Sequence, residues 1–450
     1  MRKGWVVRAL VSASVLAGAV ALGTNAWAWY PYSDRYETWQ ANRPLTMGAW
    51  HNSVPRDHLP ERVKRFRAAG LNTFFWVKPA NATHFFQAAQ EHGLEWQCGM
   101  RCSREEFQEV LRIPGCSAVI VDDEPSIRGK TEEEQAQLYT ELKERIAWVH
   151  ENYPPLLAFV NLSIMKIDLD RYVETCGPDI FSYDMYPLHR NGTTHSKYLY
   201  LLGVARETAQ RHRLPFWMIL QAYGREHEKP DYAYRIPDEA DMRFLIFTFL
   251  AHGGVGFHLF HYYGHPEAMV FDRGMAEPGR APVEEHVYED TLVTRAYYAV
   301  RDVAPEVQVL GRALLNLRSK GAIGYAGEAP DQCGPFAPSG PLRGVEMLDE
   351  ARAPLLVAYF DDREGEEYFM VVNLNHGADL SKTDAAGTVR LTFGEEVEHV
   401  ERLNRLTGDV EVLATIGAGD GARILDVMLE GGTGDLFHWH TGRPWALRAR

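Results

Sequence analysis

The chain has 450 residues, 46% of them hydrophobic and 12% aromatic, which is enough for one large core or two and too apolar for a disordered chain. Its 61 acidic and 47 basic residues give a formal net charge of −14, with no run of Lys or Arg. That balance argues against nucleic acid or an anionic membrane surface as the main partner and favours a neutral or cationic one.

In chain order, Arg2, Lys3 and Arg8 accompany an apolar run from Ala9 to about Leu22, and Ala26-Trp27-Ala28 supplies the small-x-small pattern after which a signal peptidase cuts. Residues 1–28 read as a signal peptide cleaved after Ala28, which predicts a secreted or periplasmic protein. The apolar run is shorter than the roughly 20 residues needed to span a bilayer, and no later stretch is longer, so no membrane span is expected after cleavage.

From Leu45 onward, short apolar segments alternate with helical ones. Strands are expected at 45–50, 72–77, 94–99, 118–121, 156–161, 180–183, 216–220 and 255–260, each apolar-rich as a strand covered on both faces should be. Ser103 with Glu106 and Thr131 with Glu134 have capping-box spacing, Gly70 and Gly93 stand where helices should stop, and 131–152 is the longest helix. Eight such units in about 220 residues match a closed (β/α)8 TIM barrel. An open doubly wound sheet would carry a glycine-rich phosphate turn, and none follows any strand.

A last barrel helix is expected at 289–303. The character then changes to β-branched alternation at 355–360, 368–374, 388–393 and 435–439, the pattern of a β-sandwich, with a Gly- and Pro-rich surface loop at 327–341. The division expected is 29–305 for the catalytic barrel and 306–450 for the sandwich, whose commoner role is to brace the barrel. Five cysteines, Cys98, Cys102, Cys116, Cys176 and Cys333, leave at least one unpaired. Cys98 and Cys102 either pair across a strand end or stay as buried thiols; no second Cys or His pair answers them as a zinc site would require.

In a parallel barrel, side chains at the carboxyl ends of the strands converge on one mouth. Strand four ends in Asp122-Asp123-Glu124-Pro125, strand five at Asn161, strand six in Tyr183-Asp184-Met185-Tyr186-Pro187, strand seven at Gln221 and strand eight near His258 and His261; Trp50, Trp76 and Lys78 top strands one and two. Several carboxylates around one concavity raise the pKa of one of them, which lets it act as an acid near neutral pH. Glycosidic cleavage needs one protonated and one ionised carboxyl, and aromatic rings suit the apolar faces of sugars. The expected catalytic residues are Glu124, Asp184 and Asp123; the expected substrate contacts are Trp50, Trp76, Asn161, Tyr186, Gln221, His258 and His261. Asp122 is expected to face the helix layer or cap a turn. The sequons at Asn81, Asn161 and Asn191 carry no weight in a bacterial-looking export context.

Asp123-Glu124-Pro125 resembles the Asn-Glu-Pro signature of clan A glycoside hydrolases, in which the Glu is the acid/base. Segments 179–187, 217–223 and 251–257 resemble barrel proteins described as glycoside hydrolase-like, and the likeness runs from about Leu45 to the C-terminus. The resemblance implies a barrel with a C-terminal sandwich, a carbohydrate substrate, Glu124 as general acid with Asp184 and Asp123 in support, and no metal or other cofactor; oligomeric state is left open.

One departure matters: clan A enzymes carry a nucleophilic Glu at the end of strand seven, where this chain has Gln221. A neutral amide cannot attack an anomeric carbon. Glu124 as acid and Asp184 as base would give an inverting reaction, which needs carboxyls roughly 6.5–9.5 Å apart. Alternatively the substrate's acetamido group attacks, since the adjacent Asp-Glu pair resembles hexosaminidases and Tyr183-Asp184 resembles the Tyr-Asp of family 18 chitinases; Asp123 would then orient the acetamide. Glu226 or Asp122 could serve a retaining reaction. The rivals are a non-catalytic glycan-binding protein and a metal-dependent polysaccharide deacetylase or hydrolase built on His51, His189 and Asp184.

Overall fold

The computed structural model describes residues 29–51, 59–76, 83–127, 131–164, 167–264, 267–272, 283–288, 291–349, 354–419 and 421–448. The signal-peptide reading of residues 1–28 lies outside them, as do Lys78, Asn81 and the side chain of Trp76.

Every expected barrel strand is present: β1 (Thr46–His51), β2 (Thr73–Trp76), β3 (Glu95–Gly99), β4 (Cys116–Asp123), β5 (Leu157–Leu162), β6 (Ile180–Met185), β7 (Phe216–Gln221) and β8 (Gly254–Tyr263). They pair in parallel in sequence order, and β8 closes on β1 through Gly48↔His258 and its neighbours. Helices α1 (Asp34–Gln40), α2 (Leu59–Ala68), α3 (Thr83–Glu91), α4 (Arg104–Val110), α5 (Glu132–Asn152), α6 (Leu169–Cys176), α7 (Tyr198–Arg211) and α8 (Glu239–Ala251) precede or separate the strands. Both expected capping boxes form, Ser103 with Glu106 on α4 and Thr131 with Glu134 on α5, and Gly70 and Gly93 end their helices at φ of +78° and +68°.

Alternation along the strands divides the core in two. Phe74 faces outward and stacks on Phe66 of α2 at 3.8 Å, whereas Phe75, Phe159, Trp217 and His258 fill the barrel interior. Glycines admit these rings: a Cβ on Gly48 would lie 2.3 Å from the His258 ring, and one on Gly256 2.6 Å from Trp217.

After β8 the chain departs from the expected helix at 289–303. β9 (Val270–Asp272) extends β8, β11 (Thr291–Thr294) pairs antiparallel with β9, and β10 (Val283–Tyr288) lies outside it, so α9 begins only at Arg295 and runs to Leu314. Thr291-Leu-Val-Thr294 is a β-branched stretch, and its pairing delays the helix.

The sandwich follows. One sheet has the order β12 (Arg318–Ala326), β14 (Leu355–Asp361), β15 (Glu367–Asn373), β21 (Gly434–Trp439), β17 (His399–Leu403), β18 (Val410–Ala414); the other has β13 (Leu342–Met347), β16 (Gly387–Phe393), β20 (Arg423–Leu429), β19 (Ile416–Gly417). Val357, Phe369 and Phe437 of the first meet Val389 and Leu391 of the second. The first sheet's opposite face packs on α8, whose residues are apolar almost all round and buried almost throughout. Buried Arg243 of α8 pairs with Glu306 of α9 at 2.6 Å, and Arg405 of the sandwich reaches the same carboxylate at 2.7 Å, fixing the two parts together. All five cysteines are free thiols.

Candidate active site

Asp123, Glu124 and Asp184 do gather at the carboxyl ends of the barrel strands. A register shift in β4 between Ile120 and Asp122 sets Asp123 opposite Asn161 of β5, which in turn lies opposite Ser182 of β6, two residues before Asp184. The Asn161 side-chain nitrogen donates to Oδ1 of Asp123 at 3.0 Å and to Oδ1 of Asp184 at 3.1 Å, so one amide holds two carboxyl groups together. Arg101 approaches the other oxygen of Asp123 at 3.4 Å and donates to its backbone carbonyl at 2.7 Å. Tyr186 lies beside Asp184 and favours its ionised form.

Glu124 occupies a left-handed backbone position, φ +46°, uncommon for a residue with a side chain. Its N–H donates to the Asn161 carbonyl at 2.8 Å, and Pro125, whose ring disfavours a helical conformation in the residue before it, starts a short 3-10 turn over Pro125–Ile127. The strained turn carries Glu124 off the strand line while Asp123 stays in register.

Burial, followed by the charges of Glu124 and Asp123, pushes the Asp184 carboxyl up to about 8, against the opposing pull of Asn161 and Tyr186. Asp123 is also raised by burial, but Asn161 and Arg101 both pull it down. At neutral pH the cluster therefore holds a proton on Asp184 beside an Asp123 whose two oxygens meet donors.

An aromatic wall adjoins the acids. Tyr186 stacks on Phe260 at 5.3 Å and meets Tyr223 and Tyr234 edge-on, and Trp50 packs edge-on to Phe75 and Phe260 at 5.0 and 5.3 Å. Trp50 is thus buried in the core rather than open as the expected sugar platform, while Tyr186 and Tyr234 are half-buried at the mouth. Tyr223 and Tyr234, like Arg101, were not among the expected site residues. Tyr223 stood two positions beyond strand seven, where a mouth residue is expected; Tyr234 comes from a long loop and Arg101 from the turn after β3, positions that strand periodicity does not single out.

Three more expected substrate contacts are corrected. Gln221 is fully buried: its oxygen accepts from the Leu188 N–H at 2.8 Å, and its nitrogen donates to the Leu188 and Arg235 carbonyls at 3.1 and 2.9 Å, so it ties loops together instead of facing the mouth. His258 lies inside the barrel between Phe75 and Trp217, with neither ring nitrogen hydrogen-bonded among the described residues, and burial pushes it down to about 3, so it stays neutral. His261 is buried behind Tyr223 and Phe260.

The alternative nucleophiles are engaged by other arginines, although Asp122 also shares Arg101 with Asp123, at 3.9 and 3.4 Å. Asp122 faces the helix layer, 3.3 Å from Arg145 of α5, and Glu226 is ion-paired at 2.5 Å with Arg190, which is itself held by buried Glu267 at 2.7 Å. Tyr183 points outward and stacks on Phe216, so the likeness to the chitinase Tyr-Asp pair extends to Asp184 alone. His51 packs on the outer side against Phe85 and Tyr263, and His189 bonds Thr193, so the two do not join Asp184. Among the described residues, no group of three or more His, Cys, Asp or Glu is arranged to hold a metal ion, and no helix is long and apolar enough to cross a membrane.

No protein-family model matches the sequence, and no curated protein does. Solved structures do. The chain is similar to a β-galactosidase from Bacillus circulans sp. alkalophilus, with TM-score 0.50 and 10% identity over 85% of this chain and 99% of that one. An α-L-arabinofuranosidase from Thermotoga maritima gives TM-score 0.44 and 12% identity over 88% and 97%, and a β-galactosidase from the psychrophilic Marinomonas ef1 gives 0.43 and 12% over 59% and 60%. The chain thus spans about 60% of the length of the last of these. What the chain shares at such identity is architecture alone: a closed (β/α)8 barrel followed by a β-sandwich.

Proposed function

We propose that the chain is an exported glycoside hydrolase that cleaves O-glycosidic bonds of an oligo- or polysaccharide with the carboxyl cluster at the barrel mouth. The observation that carries the reading is the Asn161 bridge between Asp123 and Asp184, in a site that keeps one of its carboxyls neutral near pH 7. Glycosidic cleavage requires a proton donor and an ionised carboxylate side by side.

Glu124, projected from its strained turn, delivers the proton to the leaving oxygen. Its charge is the leading charge acting on Asp184, so at neutral pH the proton rests on Asp184, which passes it to Glu124 for delivery. Asp123, whose rise by burial is opposed by Asn161 and Arg101, stabilises positive charge at the anomeric carbon or activates the incoming water. Tyr186 and Tyr234 give the sugar ring an apolar face to stack on. Gln221 takes no part, which removes the double-displacement route its position would otherwise suggest.

The test is hydrolysis of a panel of aryl glycosides and polysaccharides by the purified protein and its Glu124→Gln variant. Loss of about 10²–10⁴ in kcat/KM, with the variant still binding the substrate, is the expected result. Unchanged hydrolysis of every cleaved substrate would remove Glu124 from the chemistry, and glycan binding with no cleavage by either form would leave a lectin.

A further inference from the structure

A second cavity, of about 840 Å³, opens at the opposite end of the barrel. Leu45 and Asn72, which lead into β1 and β2, form one side; Pro305, Val309 and Leu315 of and after α9 form another; the C-terminal Arg448 closes it. Three guanidinium groups, from Arg43, Arg312 and Arg448, line the space, and among its described lining residues there is neither a carboxylate nor an aromatic ring.

The arginines differ in how they are satisfied. Arg43 is paired with Glu95 at 2.8 Å. Among the described residues Arg448 donates to neutral acceptors alone, the Asn316 side chain at 3.1 Å and the Gln40 and Leu315 carbonyls at 2.7 and 3.4 Å. Arg312 uses its Nε on the Arg448 carbonyl at 3.0 Å, and among the described residues its two terminal nitrogens have no hydrogen-bond partner. Neither Arg312 nor Arg448 has an ion-pair partner among the described residues, in a chain with fourteen more acidic than basic side chains. A guanidinium fork without a counter-ion fits a carboxylate bidentately. The remaining wall mixes polar Asn42, Asn72, Gln308 and Thr407 with an aliphatic strip from Leu45, Val309 and Leu315, and lacks the rings that would stack on a sugar.

We propose that this cavity binds an aliphatic carboxylate, its head group on Arg312 and Arg448 and its chain along Leu45, Val309 and Leu315. The site is separate from the carboxyl cluster and stands whatever chemistry occurs there.

The experiment is calorimetric titration of the full chain at low salt with octanoate, inorganic phosphate and octanol. Octanoate should bind with a Kd below about 1 mM, and phosphate and octanol at least tenfold more weakly. Arg312→Gln should weaken octanoate at least tenfold, and Val309→Glu, which sets a charge of the ligand's own sign in the wall, should abolish it; thermal melting confirms that both variants fold. Absence of octanoate binding, binding untouched by both substitutions, or phosphate binding as tightly as octanoate would each overturn the assignment.

Discussion

The side-chain nitrogen of Asn161 lies 3.1 Å from Oδ1 of Asp184 while also donating to Asp123. Both bonds favour the ionised form of their acceptor. In Asn161→Ala, Asp184 should therefore titrate above its present value of about 8, and the alkaline limb of the kcat/KM profile should move up with it. Activity at neutral pH should fall roughly 10–100-fold as the carboxyls lose their common anchor. A profile whose limb stays in place would show that Asp184 does not set it.

Arg101 acts on the other limb. It offsets part of the rise that burial imposes on Asp123, and Arg101→Gln lets that carboxyl rise further. The acid limb of the same profile should shift to higher pH with the alkaline limb unmoved. Because the Arg101 side chain is 44% exposed, solvent screens the effect and neutral-pH activity should fall less than tenfold.

Stability carries the same signature with a definite sign. Asp184 keeps its proton in the folded chain up to about pH 8, whereas an ordinary aspartate, near 3.8, gives it up. Between pH 4 and 8 the folded state binds more protons than the unfolded one, so stability falls as pH rises and levels off above 8. Asp184→Asn lacks that slope. Urea unfolding at pH 5 and pH 8 should show the variant gaining on the parent, by on the order of 3 kcal/mol at the higher pH.

Gln221 occupies the position where clan A enzymes place their nucleophile, yet its amide nitrogen faces three backbone carbonyls at 2.9, 3.1 and 3.4 Å. Gln221→Glu would direct an acceptor at acceptors in a fully buried spot. It should cost about 2–4 kcal/mol in denaturant unfolding and restore no double-displacement activity. Rapid hydrolysis through a trapped covalent intermediate would contradict this placement.

The barrel was legible because each of its strands is a short apolar run and because α4 and α5 announce themselves by capping boxes. The acids were legible for the same reason: once a strand's end is known, its last polar residue is at the mouth. Gln221 and His258 show the limit. Strand position fixes how high a residue sits but not whether a loop covers it, and here the segment around Leu188 and Arg235 folds over Gln221 while Phe75 and Trp217 enclose His258. Tyr234 and Arg101 reach the site from loops, whose course depends on long-range packing. The β9–β11 extension escaped notice because its strands are short and replace part of a segment with helical character.

On the proposed chemistry, one carboxyl in the mouth stays neutral at physiological pH and supplies the proton for cleavage. Difference infrared spectroscopy across pH 5–10 reads it directly, through the carbonyl stretch of a protonated carboxyl. The expected band persists to a midpoint near 8, is missing from Asp184→Asn, and is lost at higher pH in Asn161→Ala. Ionisation of every carboxyl in the parent protein by pH 6 would contradict it.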